Sequence, residues 1–367
     1  SMRIAVLANL KQNAPTWEGM PPDQWDDLDS PKTIDSIIRA LESQGHEAFF
    51  LEASILPPHN LAEKLQETRP DLCFNIAEGY WGDAREAQIP SILEMLRIPY
   101  TGSKVLTLAL ALDKPMTKRI LTYHGLPTPE FQVFESADDP IDDDLLDDSG
   151  EELRFPLFVK PSHEGTSVGV TPESIVHTIP ELRDQVAMQL ARYKQPILAE
   201  HYIKGREITI GMVGNLGPIV ARRISERDTP NTLPDTLTFL PPLEVDLGAY
   251  DPAEAGVYTN HIKVELAETF YYLCPAPLEP EMVHQLNLLA AAVFRVTGAR
   301  DVGRVDFRLD EENDNKPYIL EINPLPGLNP DYSDLCIEAR AMGWSYEELI
   351  NRIVNLAAER HGLHVAA

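Results

Sequence analysis

Gly303-Arg-Val-Asp-Phe307 carries two charged side chains within an otherwise apolar segment. Alternate residues of a β-strand lie on the same face of the sheet. Arg304 and Asp306 are therefore predicted to share one face, and Val305 and Phe307 to share the opposite, apolar face. A strand with this pattern presents its polar groups together.

Leu320-Glu-Ile-Asn-Pro324 has the same alternation. Glu321 and Asn323 are predicted to share one face, and Leu320 and Ile322 to take the opposite one. The two segments are predicted to be neighbouring strands. Their polar faces would then bring three oxygen-bearing side chains beside a guanidinium.

The oxygen-bearing side chains of these strands suggest a metal site. Asp306, Glu321 and Asn323, without Cys or His, suit a hard cation such as Mg²⁺ that is bound together with nucleotide phosphates. The alternative is a buried ion-pair cluster of Arg304 with Asp306 and Glu321. That alternative accounts for the charges, but not for Asn323 or for the Pro-Leu-Pro-Gly sequence that follows it.

A candidate phosphate-binding loop lies within Phe158–Gly169, where an apolar strand ends at Lys160 and small residues follow. Small residues let backbone N–H groups approach phosphate oxygens closely, and the lysine adds positive charge. Taken alone, the loop is equally typical of an ordinary turn, and the chain has no Walker motif. Lys114 is a second candidate phosphate ligand, although a lysine that begins a helix is often only solvated.

Two acids flank a turn in the segment Leu198–Glu207. Glu200 is predicted to end a strand, and Glu207 to begin the next one. Carboxylates at these places can accept hydrogen bonds from an adenine amine and from ribose hydroxyls. His201 is more typical of a structural residue than of a ligand.

The whole chain is predicted to be an α/β protein (α+β overall) of more than one domain, because 367 residues exceed one ordinary core. The first third alternates strands with helices, which is typical of a parallel sheet. The predicted strands are Arg3–Ala8, Glu47–Leu51, Leu72–Asn75, Ile98–Tyr100, Phe155–Lys160, Ile197–Glu200, Glu207–Gly214, Gly217–Ile224, Val302–Leu309 and Tyr318–Asn323. The predicted helices begin near Ser30 and Asp113 or cover Asn60–Thr68, Ala87–Leu96, Pro180–Tyr193, Glu279–Thr297 and Ser345–Glu359. Residues from Thr229 to about Leu273 are predicted to be a long functional loop.

Composition excludes several classes of partner. A formal net charge of −27 argues against binding to nucleic acid or anionic lipid. Much of that charge lies in Ala137–Glu152, which is predicted to be a solvated surface loop. Three scattered cysteines indicate neither a disulfide framework nor a zinc site, so a reducing cytoplasm fits. The longest apolar run, Val105–Leu112, is too short to span a membrane.

Jointly, these motifs resemble the ATP-grasp carboxylate–amine ligases, and most closely the D-alanine–D-alanine ligases. The matching segments, in the family's order from about Asp71 to Leu335, are Asp113-Lys114, Lys160-Pro with Glu164-Gly-Thr-Ser-Val-Gly169, Glu200 with Gly205-Arg-Glu207, Cys274-Pro-Ala276, Gly303-Arg-Val-Asp-Phe307 and Glu321-Ile-Asn-Pro-Leu-Pro-Gly327. The resemblance implies an ATP-grasp fold of three domains: an N-terminal parallel-sheet substrate domain (1–111), a central ATP-grasp subdomain (112–199) and a C-terminal catalytic domain (200–367). ATP would lie between the last two.

The resemblance also implies how the nucleotide is held. Lys114 and Lys160 would contact its phosphates, and Glu200 and Glu207 its adenine and ribose. The other cofactor-binding positions carried over are Glu164, Gly165, His201, Ile203 and, by a weaker alignment within the predicted lid at about 250–263, Lys263. The loop Gly165–Gly169, with Thr166 and Ser167, would close over the transferring phosphoryl group.

The same resemblance assigns the metal and the catalytic groups. Asp306, Glu321 and Asn323 would hold Mg²⁺, with two ions expected and Mn²⁺ as a substitute. Arg304 and the backbone N–H of Gly327 would stabilise the developing oxyanion. The implied partners are amino acid or peptide substrates and a second copy of the chain in a homodimer.

The substrate half departs from the family pattern. D-alanine ligases carry a Gly-Gly-x-Ser-x-Glu loop where this chain reads Ala8–Asn13 followed by an insert with Pro and Trp. Asp29 or Asp27 is the candidate for the missing acid, and Ser333 is a further candidate substrate contact. The family's His-Gly is Glu78-Gly here, and Glu78 with Arg85 indicates either altered polar recognition or mere surface charge.

These observations predict a ligase that activates a carboxylate as an acyl phosphate and releases ADP and phosphate. The acid and the amine stay open, and D-alanine as both is not favoured. The alternative is a nucleotide-binding module without turnover, against which the intact Arg304, Asp306, Glu321 and Asn323 argue. A nicotinamide-dependent dehydrogenase is excluded because no G-x-G-x-x-G follows Arg3–Ala8.

Overall fold

The computed structural model describes residues 1–164, 169–216, 237–245 and 272–363. Within these ranges, the strands are β1 Arg3–Ala8, β2 Glu47–Glu52, β3 Leu72–Asn75, β4 Phe131–Phe134, β5 Leu157–Pro161, β6 Ile175–Val176, β7 Ile197–His201, β8 Glu207–Gly214, β9 Leu237–Phe239, β10 Leu243–Val245, β11 Tyr272–Leu273, β12 Asp301–Asp310 and β13 Lys316–Asn323. The α-helices are α1 Pro31–Glu42, α2 Leu61–Thr68, α3 Gln88–Met95, α4 Val105–Leu112, α5 Lys114–Tyr123, α6 Ile179–Tyr193, α7 Pro280–Thr297, α8 Asp334–Ala341 and α9 Tyr346–Arg360.

The first sheet is parallel, with strand order β2-β1-β3, as the alternation of strands and helices predicts. Ile4 and Val6 of β1 pack on one side against α1 and α9, and Leu7 packs on the other side against α2 and α3. Both faces of β1 are therefore buried, which is typical of a parallel sheet covered by helices. Because α9 comes from the C-terminus of the chain, the first 111 residues share their core with it.

The predicted strand Ile98–Tyr100 is wrong. Only Tyr100 forms a parallel bridge, to Cys73 of β3. Pro99 accepts a hydrogen bond from the Cys73 N–H through its carbonyl, but it has no N–H with which to extend a ladder. The sheet therefore ends at this bridge.

The second sheet has the order β4-β7-β5-β6 and is antiparallel. Val159 of β5 and Ile197 of β7 pack beneath helix α6.

The acidic loop between β4 and β5 is exposed, as predicted, at Asp138, Asp142, Asp143, Asp144 and Asp148. Leu145 anchors this loop because its side chain is fully buried in the same core. The predicted domain boundary at 199/200 falls within β7, and the domain boundaries stay predictions.

The third sheet runs β11-β10-β8-β12-β13, with β9 paired to β8, and helix α7 covers its apolar face. The predicted long loop from Thr229 to Leu273 is wrong in part, because its described residues include the strands β9, β10 and β11. Leu237, Leu243 and Val245 are buried there. Strands of two or three residues are too short for an alternating pattern to be recognised. The predicted strand Gly217–Ile224 lies outside the described residues.

A β-bulge distinguishes β13 from the predicted regular strand. Asp306 lies opposite Glu321, but the next residue, Phe307, lies opposite Ile319. Leu320 is thus the extra residue on β13 and is only half-buried. Ile319, and not Leu320, joins Ile322 in the apolar core. A strict period of two cannot anticipate such an insertion, and bulges commonly redirect side chains near active sites.

No helix in the four described ranges is long and apolar enough to cross a bilayer. Cys73, Cys274 and Cys336 are free thiols.

Asp301 joins three parts of the chain. It is fully buried, and its carboxylate accepts hydrogen bonds from the Gly102 N–H at 2.9 Å and from the Asn215 amide at 3.0 Å. The same carboxylate forms an ion pair with Arg360 at the end of α9. Asp301 has a left-handed backbone with φ of 70°, a conformation that Asp and Asn tolerate better than most residues.

We expect Asp301→Asn to lower the free energy of unfolding by about 3 kcal/mol, because it leaves the Arg360 guanidinium without its buried carboxylate. Asparagine keeps the left-handed backbone acceptable, so the variant isolates the loss of charge. Urea unfolding measures the change. Glu348→Gln, which removes an exposed pair with Arg352, is the matched control and is expected to cost about 0.5 kcal/mol or less. Equal losses in both variants would contradict the assignment.

Candidate active site

A cleft lies where the N-terminal sheet meets the start of α5 and the end of β13. Eight of the predicted site residues line it: Asp29, Glu78, Lys114, Glu164, Glu321, Asn323, Gly327 and Ser333. They come from distant positions in the sequence, so only the folded chain brings them together. Of the three predicted metal ligands, Glu321 and Asn323 line the cleft and Asp306 does not.

The pairing of β12 with β13 sets the centre of this site. Asp306 lies directly opposite Glu321, and Arg304 lies directly opposite Asn323. Directly opposed residues of antiparallel strands project from the same face. The bulge follows immediately after the Asp306–Glu321 pair, so the two carboxylates stand where the ladder changes register.

Asp306 is held by short contacts. Its Oδ1 accepts hydrogen bonds from the Thr209 hydroxyl at 2.9 Å and from the Arg304 Nε at 3.1 Å. Arg304 also lies 3.8 Å from the Asp334 carboxylate. Both Asp306 and Arg304 are buried, and neither Thr209 nor Asp334 was identified from the sequence. The ion pair that the alternative interpretation predicts between Arg304 and Asp306 is thus present.

The buried charges at this point oppose one another. Burial raises the pKa of Asp306, Arg304 lowers it, and Glu321 raises it, with a net increase. For Arg304, burial lowers the pKa, but Asp306 and Asp334 outweigh that effect and hold it well above its ordinary value. The guanidinium therefore stays charged, and it offsets only part of the burial and repulsion that raise the pKa of Asp306.

Lys114 bridges two sides of the cleft. Its ammonium donates a hydrogen bond to the Glu164 backbone carbonyl at 2.5 Å and lies 3.6 Å from the Glu321 carboxylate. The Lys114 backbone N–H also donates to the Ser162 carbonyl at 3.0 Å. The interpretation of Lys114 as a merely solvated lysine is therefore wrong, because its side chain is mostly buried between two partners.

Arg85 is a second basic residue that binds the segment around Glu164. The interpretation of Arg85 as surface charge is therefore also wrong. Its guanidinium donates to the His163 backbone carbonyl at 2.8 Å and to the Glu164 carboxylate at 3.1 Å. Gln195 donates to the other oxygen of Glu164 at 2.7 Å. The Glu164 carboxylate is thereby held by Arg85, from the N-terminal part of the chain, and by Gln195, from the turn that precedes β7. Gly165, Thr166, Ser167 and Lys263 lie outside the described residues.

Glu200 is surrounded by two lysines. One oxygen lies 2.8 Å from the Lys160 ammonium, and the other lies 2.7 Å from the Lys118 ammonium. Burial would raise the pKa of Glu200, but Lys118 and Lys160 together lower it to about 2. In this structure the Glu200 side chain orients two ammonium groups.

Lys118 was missed in the sequence, although a signal was available. It follows Lys114 by one helical turn of α5, and residues four apart lie on the same helix face. Its ammonium also contacts the Thr128 hydroxyl at 2.8 Å. Lys118 is 2% exposed, and these contacts, with the Phe131 ring 5.3 Å from its ammonium, offset part of the cost of burying it.

The residues between the end of β7 and the start of β8 include the predicted nucleotide ligands His201, Ile203 and Glu207. Glu207 pairs with Arg308 at 3.2 Å, yet burial raises the pKa of Glu207 to about 7. Arg308 packs over the Tyr202 ring at 5.0 Å. His201 is buried and is bonded to the Leu145 backbone, which fits a structural residue. Ile203 is also buried.

Comparisons with known proteins identify the family to which this chain is related. The family model for the D-ala D-ala ligase C-terminus matches residues 120–231 and 247–355. The D-alanine–D-alanine ligase of Pelotomaculum thermopropionicum is 31% identical, over 91% of this chain and 93% of the relative. An uncharacterised protein of Sinorhizobium fredii, y4sG, is 33% identical over 98% of both chains. The crystal structure of the Bacillus anthracis D-alanine–D-alanine ligase complexed with ATP is similar, with a TM-score of 0.67, 22% identity and 99% of both chains covered.

The fold and the site define an ATP-grasp enzyme of the C–N ligase class, as the sequence predicts. The chain belongs to the D-alanine–D-alanine ligase family.

We expect the contribution of Glu200 to stability to depend on pH. Its folded pKa of about 2 lies below the ordinary 4.5, so the stabilisation is complete above pH 4.5 and is lost as the pH falls toward 2. The stability difference between the wild type and Glu200→Gln should shrink by about 3 kcal/mol over this interval. Urea unfolding at successive pH values tests it. Glu135→Gln, at an exposed position, should show a difference that does not change with pH; a similar trend there would argue against the lysine cage.

Proposed function

We propose that this protein is an ATP- and Mg²⁺-dependent carboxylate–amine ligase that joins the carboxylate of an amino acid or peptide to an amine and yields ADP and phosphate. The observation that carries the proposal is the Asp306–Glu321 pair on two opposed strands, in which Glu321 lines the cleft and lies 3.6 Å from the Lys114 ammonium. Membership of the ligase family supports it. The substrates are the open part of the proposal.

The donors at the centre fit a hard dication. Asp306, Glu321 and Asn323 supply only oxygen ligands, as Mg²⁺ prefers. In the described ranges no group of three or more His, Cys, Asp or Glu side chains is arranged to hold a metal ion, so Asn323 and nucleotide phosphates would complete the coordination. Burial, and then Glu321, raises the pKa of Asp306, and a bound cation would favour its charged form. Mg²⁺ would offset the negative charge on the oxygens of the transferring phosphoryl group. We propose two ions, for which Mn²⁺ could substitute.

The nucleotide would be held by the residues around Glu200 and Lys114. Lys114 and Lys160 would contact the phosphates, with Lys118 and Glu200 fixing the Lys160 ammonium. The remaining nucleotide contacts proposed are Glu164, Gly165, Thr166, Ser167, His201, Ile203, Glu207 and Lys263. For Glu200, both carboxylate oxygens are already engaged by lysines, so adenine recognition there would fall to the backbone.

The reaction proceeds in two transfers. A carboxylate oxygen attacks the γ-phosphorus of ATP, the bond to ADP breaks, and ADP leaves with the electron pair. The amine nitrogen then attacks the acyl phosphate carbon, the tetrahedral intermediate expels phosphate, and the amine loses a proton. Arg304 and the Gly327 N–H would stabilise the oxyanion. Exclusion of water protects the acyl phosphate from hydrolysis.

The substrate pocket would differ from that of a D-alanine ligase. Asp29, Glu78 and Ser333 line the cleft at the substrate side. Of these, the Ser333 hydroxyl accepts a hydrogen bond from the Asn329 N–H at 2.8 Å and keeps its own proton available to a ligand. A homodimer and a cytoplasmic location stay predictions.

We expect Asp306→Asn and Glu321→Gln each to reduce Mg·ATP turnover by at least about 100-fold, because each removes charge from the metal site. The fold should persist, because both substitutions keep the side-chain shape. ADP release with amino acid pairs measures turnover, and circular dichroism checks the fold. Asp310→Asn, at the far end of β12, is the control. Undiminished ADP formation in either variant would remove that residue from the metal site.

We also expect hydroxylamine to capture a hydroxamate when ATP, Mg²⁺ and the correct carboxylate are present, because it attacks an acyl phosphate as the amine does. A colorimetric iron assay detects the product. Omission of ATP is the control and should give none. ADP release without any hydroxamate would argue against acyl phosphate formation, and no ADP release with any amino acid would favour a nucleotide-binding module.

A further inference from the structure

We propose that the N-terminal half of the cleft selects a substrate with a positively charged side chain, such as a basic amino acid. This inference rests on the proposed ligase function and names its substrate class. Five carboxyl groups carry it: Asp27, Asp29, Glu52, Glu78 and Glu86, called here the acidic wall.

Four of the five wall residues come from three separate segments. Asp27 and Asp29 belong to the insert after β1, Glu78 follows β3, and Glu86 lies in a short 3₁₀ turn before α3. These four residues line the same cleft as Glu321 and Lys114. The wall therefore faces the space in which a substrate carboxylate would meet the phosphate and metal groups.

The Glu78 and Glu86 carboxyl groups are hydrogen-bonded to each other. Two carboxyls in contact must share a proton or attract a cation. Burial, then Glu86 and Asp27, raises the pKa of Glu78 well above its ordinary value. Burial, then Asp27 and Glu52, raises the pKa of Asp29 to about 8. Asp29 and Glu78 therefore resist ionisation in this cleft, and a cationic ligand would favour their charged forms.

Glu52 gives independent evidence for a missing cation. It is 7% exposed, and its Oε1 accepts from the Tyr80 hydroxyl at 3.0 Å and from the Leu10 N–H at 3.2 Å. Its Oε2 is buried without a hydrogen-bond partner. Glu52 also contributes to the raised pKa of Asp29, so this unsatisfied oxygen belongs to the same wall. A buried carboxylate oxygen without a donor is costly, and a cationic ligand near the wall would lower that cost.

The nearby protein cations neutralise only part of the wall. Lys11 pairs with Asp26 at 2.9 Å. Burial raises the pKa of Glu86 overall, although Arg85 and Lys114 lower it. Arg85 binds Glu164 and the His163 carbonyl, and Lys114 binds the Glu164 carbonyl and approaches Glu321. The α-ammonium of one amino acid would engage only part of a wall of this size. A second positive charge, on the substrate side chain, would engage the rest.

An aromatic cluster of Trp17, Trp25, Tyr80 and Trp81 borders the wall. Its ring centroids lie 5.2 to 6.0 Å apart. Trp25 directly precedes the acidic pair at 26–27, and Tyr80 donates its hydroxyl to Glu52. Aromatic faces attract ammonium and guanidinium groups and also cover the methylenes of long side chains. An acidic wall beside aromatic rings therefore matches the two parts of a basic side chain.

The test compares charged substrates with neutral ones of similar shape. The full chain with Mg·ATP is given lysine or arginine, in either chirality, and separately norleucine or citrulline, each alone and paired with D-alanine. ADP release is measured. We expect kcat/KM for the basic member of each pair to exceed that of the neutral member by at least about 10-fold, a difference of one buried ion pair. A neutral isostere used equally well would overturn the inference while leaving the ligase function intact, whereas no ADP release with any amino acid would overturn both.

Two variants assign the effect to the wall. Glu78→Gln and Glu86→Gln should each reduce the preference for the basic substrate by about 10-fold, mainly through KM for that substrate, with KM for ATP unchanged. Asp138→Asn makes the same charge change in the exposed acidic loop and should leave the preference intact. A preference that survives both glutamine variants, or that falls equally in Asp138→Asn, would overturn the assignment. The wild-type comparison stands even if one variant does not fold.

Discussion

The opposition of Asp306 and Glu321 across two paired strands is the constraint on which the site depends. Two carboxylates in register on one face repel, and burial adds to the cost. Arg304 and Lys114 offset part of that cost from either side. The bulge after Asp306 keeps Ile319 and Ile322 in the apolar core even though the register has changed. The sheet is thus built to tolerate a charge excess that a bound dication would balance.

The same principle recurs around Glu200, with the opposite sign. There two buried ammonium groups converge on one carboxylate, which lowers the pKa of Glu200 to about 2. The cluster carries a net positive charge near the phosphate-binding segment, whereas the β12–β13 pair and the acidic wall carry negative charge. A triphosphate, a dication and a cationic substrate would each meet a region of opposite sign. The cleft therefore separates its ligands by charge.

Much of the fold was predictable because it rests on local periodicity. The alternation in β12 and β13 gave the facing of Arg304 with Asp306, and the strand–helix alternation gave the parallel sheet. The bulge at Leu320 was not predictable, since an extra residue leaves no mark on a period of two. The strands β9 to β11 are too short for a pattern, and Pro99 ends the sheet where an apolar triplet suggested a strand. The packing of α9 on the first sheet depends on contacts between the two ends of the chain.

The site divides in the same way. The positions of Lys114, Glu321 and Asn323 follow from motifs that lie on regular elements, so sequence reasoning located them. The surroundings of Glu52, Glu86 and Asp334 form only when separate segments of the folded chain meet. The spacing of residues in the sequence therefore could not predict them. The proposed nucleotide and metal groups lie on strands and at the start of α5, whereas most of the proposed acidic wall lies on the insert after β1 and in the turns after β3. Irregular segments of this kind have no period from which their contacts could be predicted.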